Sequence, residues 1–404
     1  MTSETTMAYG FARKIDLEKQ NITAKQTLQE WVTFFETLED PRGKQGREHD
    51  FLSIVMIAIL AVIAGAEGWD DIELYAESHQ VWLEELLELK NGVPHADTYR
   101  RVFALINPES LQSCFLSWVK QIIKETKGEI IAIDGKQSRG SYNRNQKKSA
   151  LHVVSAWSNK NRLVLGQVKV KDKSNEITAI PALLELLDIN GCIVTLDAMG
   201  TQTEIADLII QQGGDYVLSL KANHPTLLDS VKQCFNPLNL RDGKEIISEC
   251  SHESKIEAGH HRLEKRFCWV LPVIQIKGLY QQEQWNELKT IVMVNRERHL
   301  WNKIQIETQF YLSSLSCDAK LISRAIRQHW GIENQLHWIL DVTFNEDSSR
   351  IRQGHSPENF TLLRRMAISL LNQETNSKRS LRQKTKRAAM NCNYMFDVLL
   401  SALK

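Results

Sequence analysis

The chain has 404 residues, of which 42% are apolar and 25% charged, and its formal net charge is +1. The length exceeds one ordinary core, and the composition excludes a disordered or fibrous chain. A net charge near zero neither argues for a nucleic-acid partner nor excludes one, because charge can be segregated along the chain. Seven cysteines lie scattered, without a Cys-x-x-Cys pair or a zinc spacing, which suits a reducing cytosol. The polar opening, Met1 to Glu30, predicts no secretory signal, and a cytoplasmic location is expected.

Residues 1–28 read as a polar arm. From Thr27 the periodicity turns helical, with Leu28, Trp31, Phe34, Phe35 and Leu38 at three- and four-residue steps. Phe51 to Ala66 is the most apolar stretch. It falls short of the roughly 20 residues a bilayer needs, so a buried core helix is expected and no membrane partner. Asn91 to Phe103 predicts a turn and a helix. It reads equally as a helix-turn-helix offering Thr98, Arg100 and Arg101 to DNA or as a plain helical hairpin. Leu111 to Ile123 closes a helical N-terminal domain over 29–127.

Ile130-Ile131-Ala132-Ile133-Asp134-Gly135 predicts a strand buried on both faces, with a carboxylate where it emerges and a turn at Gly135. Gly191 to Ala198 repeats the arrangement and places Asp197 likewise. Between them, Ser138 to Lys148 reads as a basic loop. Leu151 to Trp157 and Leu163 to Val170 read as a hairpin, and a helix runs from near Ser174 to Leu187. A helix over 201–212, a strand over 215–220 and a helix from Pro225 follow. That succession is the order expected of an RNase H-like domain. Residues of about 236–310 break it with predicted strands at Ile246–Cys250, Arg266–Leu271 and Ile291–Arg296, read as a β-rich insertion. The adjacent His260 and His261 lack a second ligand cluster at zinc spacing, so an exposed or DNA-facing loop is expected there.

Ser323 to Trp338 has helical periodicity and places His329 and Glu333 on one face. Asp341 to Asp347 adds carboxylates that read either as further metal ligands or as a solvated turn. A helix starts at Ser356-Pro357-Glu358. Lys378 to Arg387 is basic without an acid, in a tail domain over 376–404. It reads as a phosphate-attracting segment or as a solvated helix face.

The chain from about Phe34 onward resembles the DDE transposases of bacterial insertion sequences, in their H-repeat-associated branch. The resemblance is carried by Ala132 to Lys136, Thr195 to Gln202, Leu220 to His224 and His329 to Asn334. It implies an α/β fold with a mixed α+β sheet, a catalytic domain over 128–375, and the acids Asp134, Asp197 and Glu333 as catalytic residues and metal ligands. Two Mg²⁺ or Mn²⁺ ions, held by carboxylate oxygens, suit phosphodiester cleavage and strand transfer. Implied partners are double-stranded DNA, as terminal inverted repeats and target, and a second copy in an active homodimer. DNA contacts are expected from Lys136, Arg139, Gln202, Lys221, Asn223, Arg262, Arg327, His329, Lys378, Arg379 and Arg382.

The chain departs from the wider superfamily beside Glu333. Ile326, His329 and Leu340 stand where that signature has tyrosine, arginine and lysine, and His261 replaces a glycine of the branch. An RNase H-like nuclease without strand transfer, and a non-catalytic DNA-binding derivative, are the competing readings.

Overall fold

The computed structural model describes residues 24–43, 47–87, 89–123, 127–142, 149–171, 174–235, 250–259, 262–276 and 278–403. The chain divides into two compact units that do not follow chain order. One comprises Met1–Lys124, Gln137–Leu151 and Trp338–Lys404; the other comprises Glu125–Lys136 and His152–His337.

The first unit is helical. At its centre Phe51–Ile63 is buried along nearly its whole length, started by Asp50, whose carboxylate accepts from Ser53 N at 2.8 Å. Among the described residues no helix is long and apolar enough to cross a membrane. The 13-residue Phe51–Ile63 helix packs instead against Ser356–Gln373, which draws its partners from both ends of the chain. Asn359 donates to the carbonyls of Phe103 and Ile106 at 2.8 and 2.9 Å, closing the end of helix Ala96–Leu105. The Trp31 indole donates to Leu399 O and the Trp118 indole to Ala402 O, so the last helix is pinned by two buried N–H groups.

Glu346 corrects the expectation of a solvated turn over Asp341–Asp347. Its carboxylate is fully buried and accepts from Arg365 Nη1 at 3.1 Å, while Arg365 is itself 0% exposed. The acid is needed because a guanidinium without a counter-charge could not be held there. Lys384 departs from the free basic run in the same way: it is buried and donates to Leu371 O at 3.0 Å and to the Glu374 carbonyl. Arg387 lies over the Tyr394 ring. Lys378, Arg379 and Arg382 are exposed.

The second unit is built on one nine-stranded sheet in the order β3-β2-β1-β4-β5-β9-β8-β7-β6. The strands are β1 (Ile130–Ser138), β2 (Leu151–Ser158), β3 (Leu163–Lys169), β4 (Ile193–Leu196), β5 (Asp215–Leu220), β6 (Ser251–Gly259), β7 (Arg262–Pro272), β8 (Thr290–His299) and β9 (Ile304–Ser313). β1, β4 and β5 run parallel, which is why they carry the unbroken apolar runs; β2 and β3 form the antiparallel hairpin.

The strands after residue 250 belong to the main sheet. β9 pairs antiparallel with β5 over Val217↔Ser313 to Leu220↔Phe310, and β8, β7 and β6 extend the same sheet as a meander. β6 escapes the apolar pattern because its residues are exposed or half-exposed and largely polar, while the start of β9 leaves Ile304 and Ile306 exposed. The strand expected at Ile246–Cys250 lies mostly outside the described residues. Gly135, moreover, does not turn the chain: β1 continues to Ser138.

Because Glu346 and Arg365 are both out of water, Arg365→Met should cost about 3–5 kcal/mol of unfolding free energy in denaturant titration. The double variant with Glu346→Leu should recover most of it, since both charges are then gone.

Candidate active site

Register places the two aspartates. The parallel pairing of β1 with β4 ends at Ile133↔Leu196, so Asp134 and Asp197 are the next residues on neighbouring strands. Each carboxylate is held locally. Asp134 Oδ1 accepts from Gly135 N at 2.9 Å, and Asp197 Oδ1 accepts from Met199 N and Gly200 N at 3.0 and 3.2 Å. The second motif is stapled behind Asp197: Thr201 Oγ1 donates to Ser219 O at 2.7 Å, and Asn223 Nδ2 donates to Ala198 O at 2.6 Å.

The third acid comes from the helix Ala319–Ile332, which is capped by Asp318 and lays Ala319, Ile322, Ala325 and Ile326 against Val217, Val270, Val292 and Tyr311. Gly331 lets the Asn159 side chain, in the turn after β2, lie close against that helix, where a Cβ would push it aside. The α-helix then gives way to a π-helical segment, Glu333–His337, with Leu336 buried. Four residues apart, Glu333 and His337 lie on one face of this segment. His337 Nδ1 lies 3.3 Å from Glu333 Oε2 and 3.5 Å from Asp134 Oδ2. Donor atoms of Asp134, Glu333 and His337 all fall within 4.8 Å of one another.

Asp134, Asp197 and Glu333 line one cavity of about 230 Å³, together with Thr195, Ser219, Lys221, Gln309, Tyr311, His329 and Trp330. Its electrostatics are those of a crowded anion. Asp134 is pushed up to about 8, first by burial and then by the negative charges of Asp197, Glu176 and Glu333. Glu333 is held below the usual carboxylate range, first by its hydrogen bond to His337. Clustered carboxylates without enough positive charge fit a divalent cation.

The remaining expected contacts divide. Lys221 lines the cavity, and Lys136 is buried close enough to lower the Glu333 carboxyl. Gln202 donates to Met199 O at 3.3 Å, at the start of helix Thr203–Gln211. Arg327 pairs with Glu257 at 3.7 Å. Arg139, with Lys378, Arg379 and Arg382, belongs to the helical unit, where it pairs with Asp347 at 3.6 Å. Arg262 lies on β7, with its side chain outside the described residues, as are His260 and His261.

His329 does not stand in for the superfamily's arginine. Burial draws its pKa down to about 4, so the ring is neutral, and Nδ1 shares a hydrogen bond of 3.0 Å with Thr195 Oγ1. Ile326 and Leu340 are buried apolar residues at the other two signature positions. His337 was expected only as one of several residues, with Arg327, His329 and Lys221, that could replace the missing superfamily residues. Glu176 was not among the expected site residues. The signal for His337 was its spacing of four from Glu333; Glu176 had none beyond its place in a first helical turn.

Two family models match the chain. "Transposase DDE domain" covers residues 125–370, and "DDE_Tnp_1-associated" covers residues 32–119. The chain belongs to the DDE transposase family. It is 37% identical to the H repeat-associated protein YhhI of Escherichia coli K12 over 92% of this chain and 98% of that one. YncI of Escherichia coli O157:H7 is also 37% identical, over 93% and 95% of the two chains. The structure of the piggyBac transposase synaptic complex with hairpin DNA is a distant likeness. It has a TM-score of 0.41 and 11% identity, covering 91% of this chain and 77% of that one.

The buried neutral His329 sets an acid limb on stability. Its folded pKa lies below the ordinary 6.5, so the unfolded chain takes up the proton first. Stability is full above 6.5 and is lost as pH falls toward about 4. Urea unfolding at pH 7.5 and pH 4 should show the wild-type protein losing about 3 kcal/mol more than His329→Gln. Equal losses would show that the ring titrates freely.

Proposed function

We propose that this DDE transposase is catalytically competent. In this reading it cuts DNA at the ends of an insertion sequence and joins them to a target, using an RNase H-like domain. The observation that carries the reading is the meeting of Asp134, Glu333 and His337 donor atoms within 4.8 Å, in the cavity that Asp197 also lines. In it, Asp134, Asp197 and Glu333 hold two divalent ions, with His337 supporting Glu333 and Asp134. When bound, such ions supply an activated oxygen nucleophile and stabilise the leaving oxygen of the phosphodiester. The chain's own part is positional. The two strand ends fix the aspartates, the π-helical turn brings up Glu333, and Lys221 offers a positive charge to a phosphate entering the cavity. The helical unit, with exposed Lys378, Arg379 and Arg382, holds DNA beyond the cut, and two copies act together on two ends.

The DNA flanking the reading frame supplies the substrate. Asp134→Asn and Glu333→Gln should each retain end binding and lose cleavage and joining in Mg²⁺. The loss should exceed the roughly 10- to 100-fold expected for an outer partner of a metal ligand. A pre-cut end with a free 3′-hydroxyl distinguishes the chemistry: cleavage without joining would make the protein a nuclease. Near-normal cleavage by Glu333→Gln would remove Glu333 from the mechanism.

For the basic tail, replacing Lys378, Arg379 and Arg382 with Gln should weaken DNA binding and flatten the slope of log affinity against log salt by roughly 0.9 for each phosphate no longer neutralised. An unchanged slope would make that tail a solvated face.

A further inference from the structure

Glu176 belongs to no expected site, yet it stands beside the first aspartate. It opens the helix Glu176–Glu185 that follows β3, and its side chain is only 13% exposed. An acid in the first turn of a helix is commonplace and by itself means nothing. What distinguishes this one is where its carboxylate is directed. A Cβ built on Gly135 would fall inside van der Waals contact of Cδ and both oxygens of Glu176, so the carboxylate occupies the space that a side chain at 135 would fill. Gly135 is extended β1 backbone and needs no special conformation, since its φ is not in the left-handed region. Its missing side chain therefore serves the approach of Glu176 to the residue next to Asp134.

From the other side, His152 on β2 holds Glu176. Its Nε2 lies 2.8 Å from Oε1. A further carboxylate seated against the residue next to Asp134 adds like charge beside Asp134, Asp197 and Glu333. A glycine that opens the space and a histidine that fixes the acid within it make sense if a cation offsets that repulsion. Histidine in this position fixes the orientation of the acid as an outer partner does in metal sites.

We propose that Glu176 is a fourth carboxylate of the metal site, directed at the cation by His152 through the gap left by Gly135. The inference rests on the reading of Asp134, Asp197 and Glu333 as metal ligands.

Mn²⁺ binding to the full chain without DNA, followed by electron paramagnetic resonance of the free ion, tests it independently of catalysis. Glu176→Gln removes the charge at constant size. Gly135→Ala changes no acid in the chain but pushes the Glu176 carboxylate out of the space it occupies. Both should weaken binding of at least one Mn²⁺ by roughly 10- to 100-fold, with the metal-free melting temperature unchanged or raised because like charges are relieved. Wild-type affinity in both variants, while Asp134→Asn abolishes binding, would overturn the role of Glu176 and spare the underlying reading. Wild-type affinity in Asp134→Asn would overturn both. A loss of Mn²⁺ affinity that only accompanies a loss of metal-free stability would also overturn the proposal, in favour of a structural role.

Discussion

The candidate site depends on the seating of one helix on one sheet. Ala319, Ile322, Ala325 and Ile326 bury against strands from both halves of the sheet, the parallel part and the antiparallel meander. Side chains of this size, taken out of water, contribute on the order of 1.5–3 kcal/mol each for the larger ones. The seat fixes the helix in azimuth and along its axis, and with it Glu333. Gly331 sets the closeness of that approach where the helix meets Asn159. In the π-helical turn that follows, Glu333 and His337, four residues apart, lie on the same side.

A site of this kind is electrostatically unfavourable on its own. Asp134 is buried among three other carboxylates and keeps its proton to about 8, while His329 behind it stays neutral. A free carboxyl would have lost its proton well below that pH. The apolar core of the sheet holds the strand ends, and the acids themselves accept backbone N–H groups there. The same logic of enclosed charge appears in the helical unit with the opposite outcome. There Glu346 and Arg365 meet directly, and the pair is closed. An ion pair that satisfies itself can be enclosed; acids that do not satisfy one another leave room for a cation.

The long sheet shows how a strand edge is managed. β5 would expose a row of unpaired backbone groups if the sheet ended there. β9 covers that edge, and β8, β7 and β6 follow outward. The strands after residue 250 thus continue the layer that carries the aspartates, and they supply Gln309 and Tyr311 to the wall of the cavity.

The sequence by itself determined the parallel centre of the sheet and the place of its two aspartates. An unbroken run such as Ile130 to Ile133 can be satisfied only by burial on both faces, and a carboxylate must then follow at its end. It also determined the helix that bears Glu333, from periodicity, and the buried helix Phe51–Ile63, from apolarity and length. Tertiary structure alone decided what surrounds the acids. The strand β6 is polar and half-exposed, so no apolar period marks it; pairing with its neighbour makes it a strand. Glu346 and Lys384 look like solvated charges until Arg365 and the carbonyls of Leu371 and Glu374 enclose them. Gly135 looks like a turn until Glu176, 41 positions along the chain, is found in the space it leaves. Local pattern records which face of an element avoids water; it does not record which charge from elsewhere will be brought against it.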